Sequence, residues 1–99
     1  MIVIYFMRRR VEVTLQNIIV TSSVNFKINI TKFAKLNNFT IDENYPSGVH
    51  CKGRDIIGMV TVFNSGKMIS TGTKKLEQAK RNIAIVYGLI IKQRKQLEI

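Results

Sequence analysis

His50 and Cys51 stand side by side as the one histidine and the one cysteine of the chain, so they are the first residues to test for chemistry. Nucleophilic catalysis needs a base held against the nucleophile and a third group that orients the base. None of the six Asp and Glu residues falls into a motif that supplies that third group, and the Cys51 thiol has no context that would activate it. One His and one Cys make no cluster at metal-ligand spacing. Asn64-Ser65-Gly66-Lys67-Met68 shares a Gly-Lys pair with phosphate loops, but the first Gly of that motif and the hydroxyl after the Lys are missing. No catalytic residue, cofactor or metal ligand is therefore expected.

The residues that can do chemistry here are the cations. Sixteen Lys and Arg against six Asp and Glu leave a formal charge of +10 on 99 residues, which draws a protein to polyanions. A content of 45% hydrophobic and 22% charged residues describes one folded domain whose charges are mostly of one sign. The longest apolar runs, Met1 to Met7 and Ile83 to Ile91, fall well short of the roughly 20 residues that span a bilayer, so no membrane partner is expected. The apolar run of residues 1–10 precedes its basic run, the reverse of a secretory signal. With a single cysteine, this suggests an intracellular protein, cytoplasmic or nucleoid-associated.

The elements that must position these cations can be read from periodicity. Val11 to Thr21 is rich in β-branched residues and reads as a strand; Thr31 to Asn38 reads as a short helix capped by Asn29 or Thr31. Phe39 to Asp42 is a candidate short strand, and Asn44 to Gly48 is turn chemistry. Val49 to Lys52, Ile56 to Phe63 and Lys67 to Thr71 read as strands, the last two joined by a tight loop at Asn64-Ser65-Gly66. Lys74 to Lys95 keeps a helical period, with Leu76, Ala79, Ile83, Val86, Tyr87 and Ile90 on one stripe and Lys75, Gln78, Arg81, Asn82 and Lys92 largely opposite. The expected organisation is an arm or extra strand over 1–10, one α+β domain over 11–95 and a tail over 96–99.

Strand parity exposes an anomaly. Ile18, Val20, Val60, Val62 and Met68 form one face, an ordinary core for the two helices to cover. Leu15, Asn17, Ile19, Met59, Thr61, Phe63, Ile69 and Thr71 form the other, which is also largely apolar and has no helix left to cover it. Three covers are open: a second copy of the chain, an apolar ligand, or a nucleic-acid minor groove. A basic rim of Arg8, Arg9, Arg10, Lys52, Arg54, Lys67, Lys74 and Lys75 suits phosphates flanking a groove.

Two motifs carry a resemblance. Leu15 to Val20 reads LQNIIV and Phe63 to Lys74 reads FNSGKMISTGTK, and both are similar to strands of one repeat of the TATA-box-binding protein family. The resemblance runs over about Val13 to Lys92. It implies a curved antiparallel sheet of about five strands, with two helices on the convex face and the concave face in the minor groove of A·T-rich double-stranded DNA. It also implies residue roles: Asn17 bonds base edges, Ile19, Thr61, Ile69 and Thr71 touch bases and sugars, Phe63 and Tyr45 are wedges that open base steps, and Lys67 and Lys74 meet phosphates.

The family's functional molecule joins two such repeats in a saddle, and this chain has one. The expected repair is a homodimer in which two Val13 to Thr21 strands pair about a twofold axis. Within the resemblance Tyr45 adds a hydroxyl to a wedge, Cys51 replaces a phosphate-facing arginine, and Thr61 replaces a leucine. The function so implied is minor-groove DNA binding in transcription initiation or its regulation, with a transcription factor docking on the helices through Lys75, Gln78, Arg81, Asn82 and Lys92. The alternatives are a non-catalytic nucleic-acid adaptor or architectural module, and a protein-interaction module that uses the concave sheet.

Overall fold

The β-branched runs alternate between the two sides of one antiparallel sheet in the computed structural model, which describes residues 3–6, 18–44, 46–53 and 55–99. In chain order the elements are β1 (Val3–Phe6), β2 (Ile18–Ser23), α1 (Ile30–Asn37), β3 (Thr40–Ile41), β4 (Gly48–Gly53), β5 (Ile56–Phe63), β6 (Lys67–Thr73), α2 (Leu76–Lys92) and α3 (Arg94–Leu97). Across the sheet the order is β1-β2-β6-β5-β4-β3, with every neighbouring pair antiparallel. Strands β2 to β6 make the curved sheet of an α+β fold, and β1 adds a sixth strand on the outer edge of β2.

One side of every central strand is sealed. Val20, Val60, Val62 and Met68 are fully buried and Ile18 nearly so, packed under Ala79, Ile83, Val86 and Ile90 of α2 and Phe33 of α1. Helix α1 starts because the Asn29 side chain accepts the Lys32 N–H at 3.1 Å, and it ends because Asn38 turns left-handed at φ 61°. Phe33 then meets Phe39 at a ring separation of 5.6 Å.

The long helix is shorter than its period predicts. It begins at Leu76 and stops at Lys92, because Gln93 leaves helical geometry at ψ 11° and its amide clasps that of Asn37 through reciprocal bonds of 2.8 and 2.9 Å. Residues 94–97 restart as α3, which buries Leu97 completely. The Asn29 N–H donates to the Leu97 carbonyl at 2.8 Å, and the Ile99 N–H donates to the Lys27 carbonyl at 3.1 Å. The segment 96–99, expected as a tail, is thus bonded to the chain that enters α1. Beside it Arg94 donates to Glu98 at 2.7 Å, which holds that carboxyl below its ordinary range, and lies 4.1 Å over the Phe26 ring.

Three further expectations are corrected. Asn82 is 1% exposed, not solvated: it accepts the Ile57 N–H at 3.0 Å and donates to the Ile57 carbonyl at 2.6 Å and to Ser70 at 3.3 Å. It joins α2 to the backbone at the start of β5, where positive-φ Gly58 lies against the Thr71 carbonyl and leaves no room for a side chain. Cys51, expected where an arginine faces phosphate, is fully buried in the core. The pairing of two β2 strands across a twofold axis meets an occupied edge, since β1 pairs there from Val3↔Thr21 to Phe6↔Ile18.

Candidate nucleic-acid interface

Away from the helices, the same strands present side chains that stay half-buried. Ile19 and Thr21 come from β2, Met59, Thr61 and Phe63 from β5, and Ile69 and Thr71 from β6. The register sets Thr61 opposite Ile69, Met59 opposite Thr71, and Thr21 opposite Ile69, so hydroxyls and apolar groups interleave across three strands. No Asp or Glu occurs between Ile18 and Ser23, Ile56 and Phe63, or Lys67 and Thr73, so these three strands carry no carboxylate. Half-buried apolar and hydroxyl groups on strands without carboxylates fit a partner that is itself anionic.

A bulge in β6 sets where Thr71 sits. Ile18 pairs with Thr73 while Val20 pairs with Ser70, so Thr71 and Gly72 together stand opposite the single Ile19. The consequence is a local bend on the open side next to Ile19 and Thr71.

Phe63 has a shaped seat. It lies opposite Gly48 in the β4–β5 register, and a Cβ added to Gly48 would come within 3.3 Å of both the Phe63 ring and the Thr61 methyl. A side chain at position 48 would displace the ring. The aromatic edge opens onto a cleft of about 290 Å³ lined by Ser47, Phe63, Asn64, Ser65, Lys67 and Ile69. The cleft ends at the Asn64-Ser65-Gly66 turn, which closes because the Gly66 N–H donates to the Phe63 carbonyl at 2.9 Å with Gly66 at φ 99°.

Ile19, Thr61, Phe63, Ile69 and Thr71, named from the sequence as groove contacts, therefore share one face. Lys67 is exposed at the cleft, and Lys74 and Lys75 are exposed where β6 turns into α2. Lys52 is exposed at the far end of β4. Asn17 and Tyr45 lie outside the described residues, as do Arg8, Arg9, Arg10 and Arg54 of the expected rim. Among the described residues there is no group of three or more His, Cys, Asp or Glu that could hold a metal ion, and no helix long and apolar enough to cross a membrane.

One residue of this face escaped the reading of the sequence. His50 sits opposite Thr61, with Nδ1 at 3.2 Å from the Thr61 hydroxyl and Nε2 at 3.1 Å from the Asp42 carboxylate. The parity of β4 was the available signal: Val49 and Cys51 are core residues, so His50 has to face the open side.

Comparison with known proteins agrees with this geometry. The profile of the family described as "Transcription factor TFIID (or TATA-binding protein, TBP)" matches residues 12–93. The TATA-box-binding protein of Sulfurisphaera tokodaii is 27% identical over 82 residues, which cover 81% of this chain and 41% of the relative. The solved structure of Methanococcus jannaschii TBP superposes with a TM-score of 0.68 at 25% identity, over 80% of this chain and 46% of that one. The chain thus matches somewhat under half the length of each relative.

Proposed function

The chain belongs to the TATA-binding-protein family, and from that premise we propose that it binds the minor groove of A·T-rich double-stranded DNA and acts in transcription initiation or its regulation. The observation that carries the proposal is the open sheet face: interleaved apolar and hydroxyl side chains, no carboxylate on its three central strands, and lysines at its ends. Minor-groove sugars and base acceptors suit the first two features, and phosphates suit the third.

Within this reading Ile19, Thr61, Ile69 and Thr71 contact sugars and base edges. Phe63 and Tyr45 open base steps, Asn17 bonds base acceptors, and Lys67 and Lys74 meet phosphates. Phe63 suits the wedge role because its ring edge opens on the cleft while Gly48 supports its back. A protein of this kind works inside the cell, where its DNA is. The reading contains no catalytic step and needs no cofactor.

A single repeat covers half of the footprint of a two-repeat saddle, so the active species is a homodimer. Its seam runs along the outer edge of β1, which pairs with no other described strand, because β2 is already paired on both sides. The surface for a transcription factor is the exposed basic side of α2 and its approach, with Lys75, Arg81 and Lys92; Asn82 drops out of it because it is buried.

Titration of fluorescent A·T-rich and scrambled duplexes at two salt concentrations tests the proposal. Tighter binding of the A·T-rich duplex, weakened about tenfold or more between about 50 and 200 mM salt, is the expected result. No duplex binding at low salt would overturn it and leave the open sheet as a protein-binding surface.

A further inference from the structure

We infer that His50 sets the hydrogen-bonding polarity of Thr61, and so acts as a specificity-determining residue for the base edges beneath that hydroxyl. The inference rests on the open face being the duplex-binding surface.

Both ring nitrogens of His50 are engaged, Nε2 by Asp42 at 3.1 Å and Nδ1 by Thr61 at 3.2 Å. Asp42 is itself fixed: one carboxylate oxygen accepts the Asn44 N–H at 2.9 Å, and its own N–H donates to the Gly48 carbonyl at 3.0 Å. A carboxylate only accepts, so the single ring proton of neutral His50 belongs on Nε2 and leaves Nδ1 as an acceptor. The Thr61 hydroxyl proton then points at Nδ1. What Thr61 offers outward is a lone pair.

In a minor groove an outward lone pair meets one complementary group, the guanine N2 amino donor, whereas adenine N3 and thymine O2 are acceptors, so with neutral His50 this one position works against the A·T preference proposed for the face as a whole. Protonating His50 reverses the arrangement. Nδ1–H donates to the Thr61 oxygen, the hydroxyl proton rotates outward, and the A·T edge becomes the complementary one. One proton is taken from solvent and no covalent bond changes.

Among the described residues, the charged groups next to His50 on this face are Asp42, just after β3, and exposed Lys52, two residues along β4. Its partner on β3 is Thr40, and β5 carries no charged side chain from Ile56 to Phe63. Changes of overall charge with pH act on the phosphates of every duplex alike, so they cancel in a ratio of affinities.

Two measurements on the full chain test the inference. Histidine ¹⁵N spectra of the free protein at neutral pH should show Nε2 protonated and Nδ1 bare; a protonated Nδ1 there overturns it. Fluorescence anisotropy with matched A·T, G·C and I·C duplexes follows, at pH about 8 and about 5.5. Inosine lacks the guanine amino group. The preference for A·T over G·C should rise roughly threefold to tenfold on acidification, as expected for one gained or lost hydrogen bond, with I·C tracking A·T. Thr61→Val should remove that pH dependence. A preference that is the same at both pH values, or a pH dependence that survives in Thr61→Val, overturns the inference. Failure to bind any duplex at either pH overturns the groove reading itself and takes the inference with it.

Discussion

Phe63 and Asn82 show how much single side chains decide in a molecule of this size. Phe63 leans on a glycine on one side and opens on a cleft on the other, so its truncation removes the ring without opening the core. Phe63→Ala is expected to reduce DNA bending, measured by end-to-end energy transfer in a labelled duplex, more than it reduces affinity at low salt. Bending that persists unchanged would mean that the ring does not enter a base step. Asn82 acts on stability instead. Asn82→Ala leaves the Ile57 N–H and carbonyl without their buried partner, and should lower unfolding free energy by about 2–3 kcal/mol in a denaturant titration. Sequence periodicity could not find this residue, because a helical wheel records which side a residue is on and not that a strand end needs a polar clasp there. His50 was hidden for a related reason: a lone histidine raises the question of catalysis, and its neighbours across the sheet appear only once β3, β4 and β5 are in register.

At the scale of elements, strand parity was the most legible signal. Ile18, Val20, Val60, Val62 and Met68 went to the core and Ile19, Met59, Thr61, Phe63, Ile69 and Thr71 to the open side, as alternation requires. Strand β5 runs from Ile56 to Phe63, the range read from its β-branched residues. Helix ends were less legible, because they depend on contacts from distant parts of the chain. The apolar period continues past Lys92, but the Asn37–Gln93 clasp interrupts it and turns Leu97 inward. Cys51 was read only as the replacement of an arginine in the resemblance, whereas the parity of its own strand sends it to the core. Gly88 offers a test of α2 that is independent of DNA. It is exposed, and a Cβ added there would touch nothing within 4 Å, so Gly88→Ala should raise stability by about 1 kcal/mol through helix propensity alone. A destabilised variant would mean that position 88 is covered in solution.

For the whole molecule, the layout places helices and core on one side of a sheet, and among the described residues no helix covers the other side. A charge of +10 with no carboxylate on the three central strands biases a partner of that side toward a polyanion. The chain matches under half the length of the relatives it was compared with, which makes assembly a quantitative question. Sedimentation at micromolar concentration should detect dimers, populated more strongly when A·T-rich duplex is added; a monomer in both conditions would remove the paired saddle and leave each repeat to bind a half-site. The most direct measurement of the central claim is an NMR titration of the full chain with an A·T-rich duplex. Methyl and amide shifts should concentrate on Ile19, Thr21, Met59, Thr61, Ile69 and Thr71. Shifts confined to exposed residues of α2, with those six unmoved at saturating duplex, would contradict it.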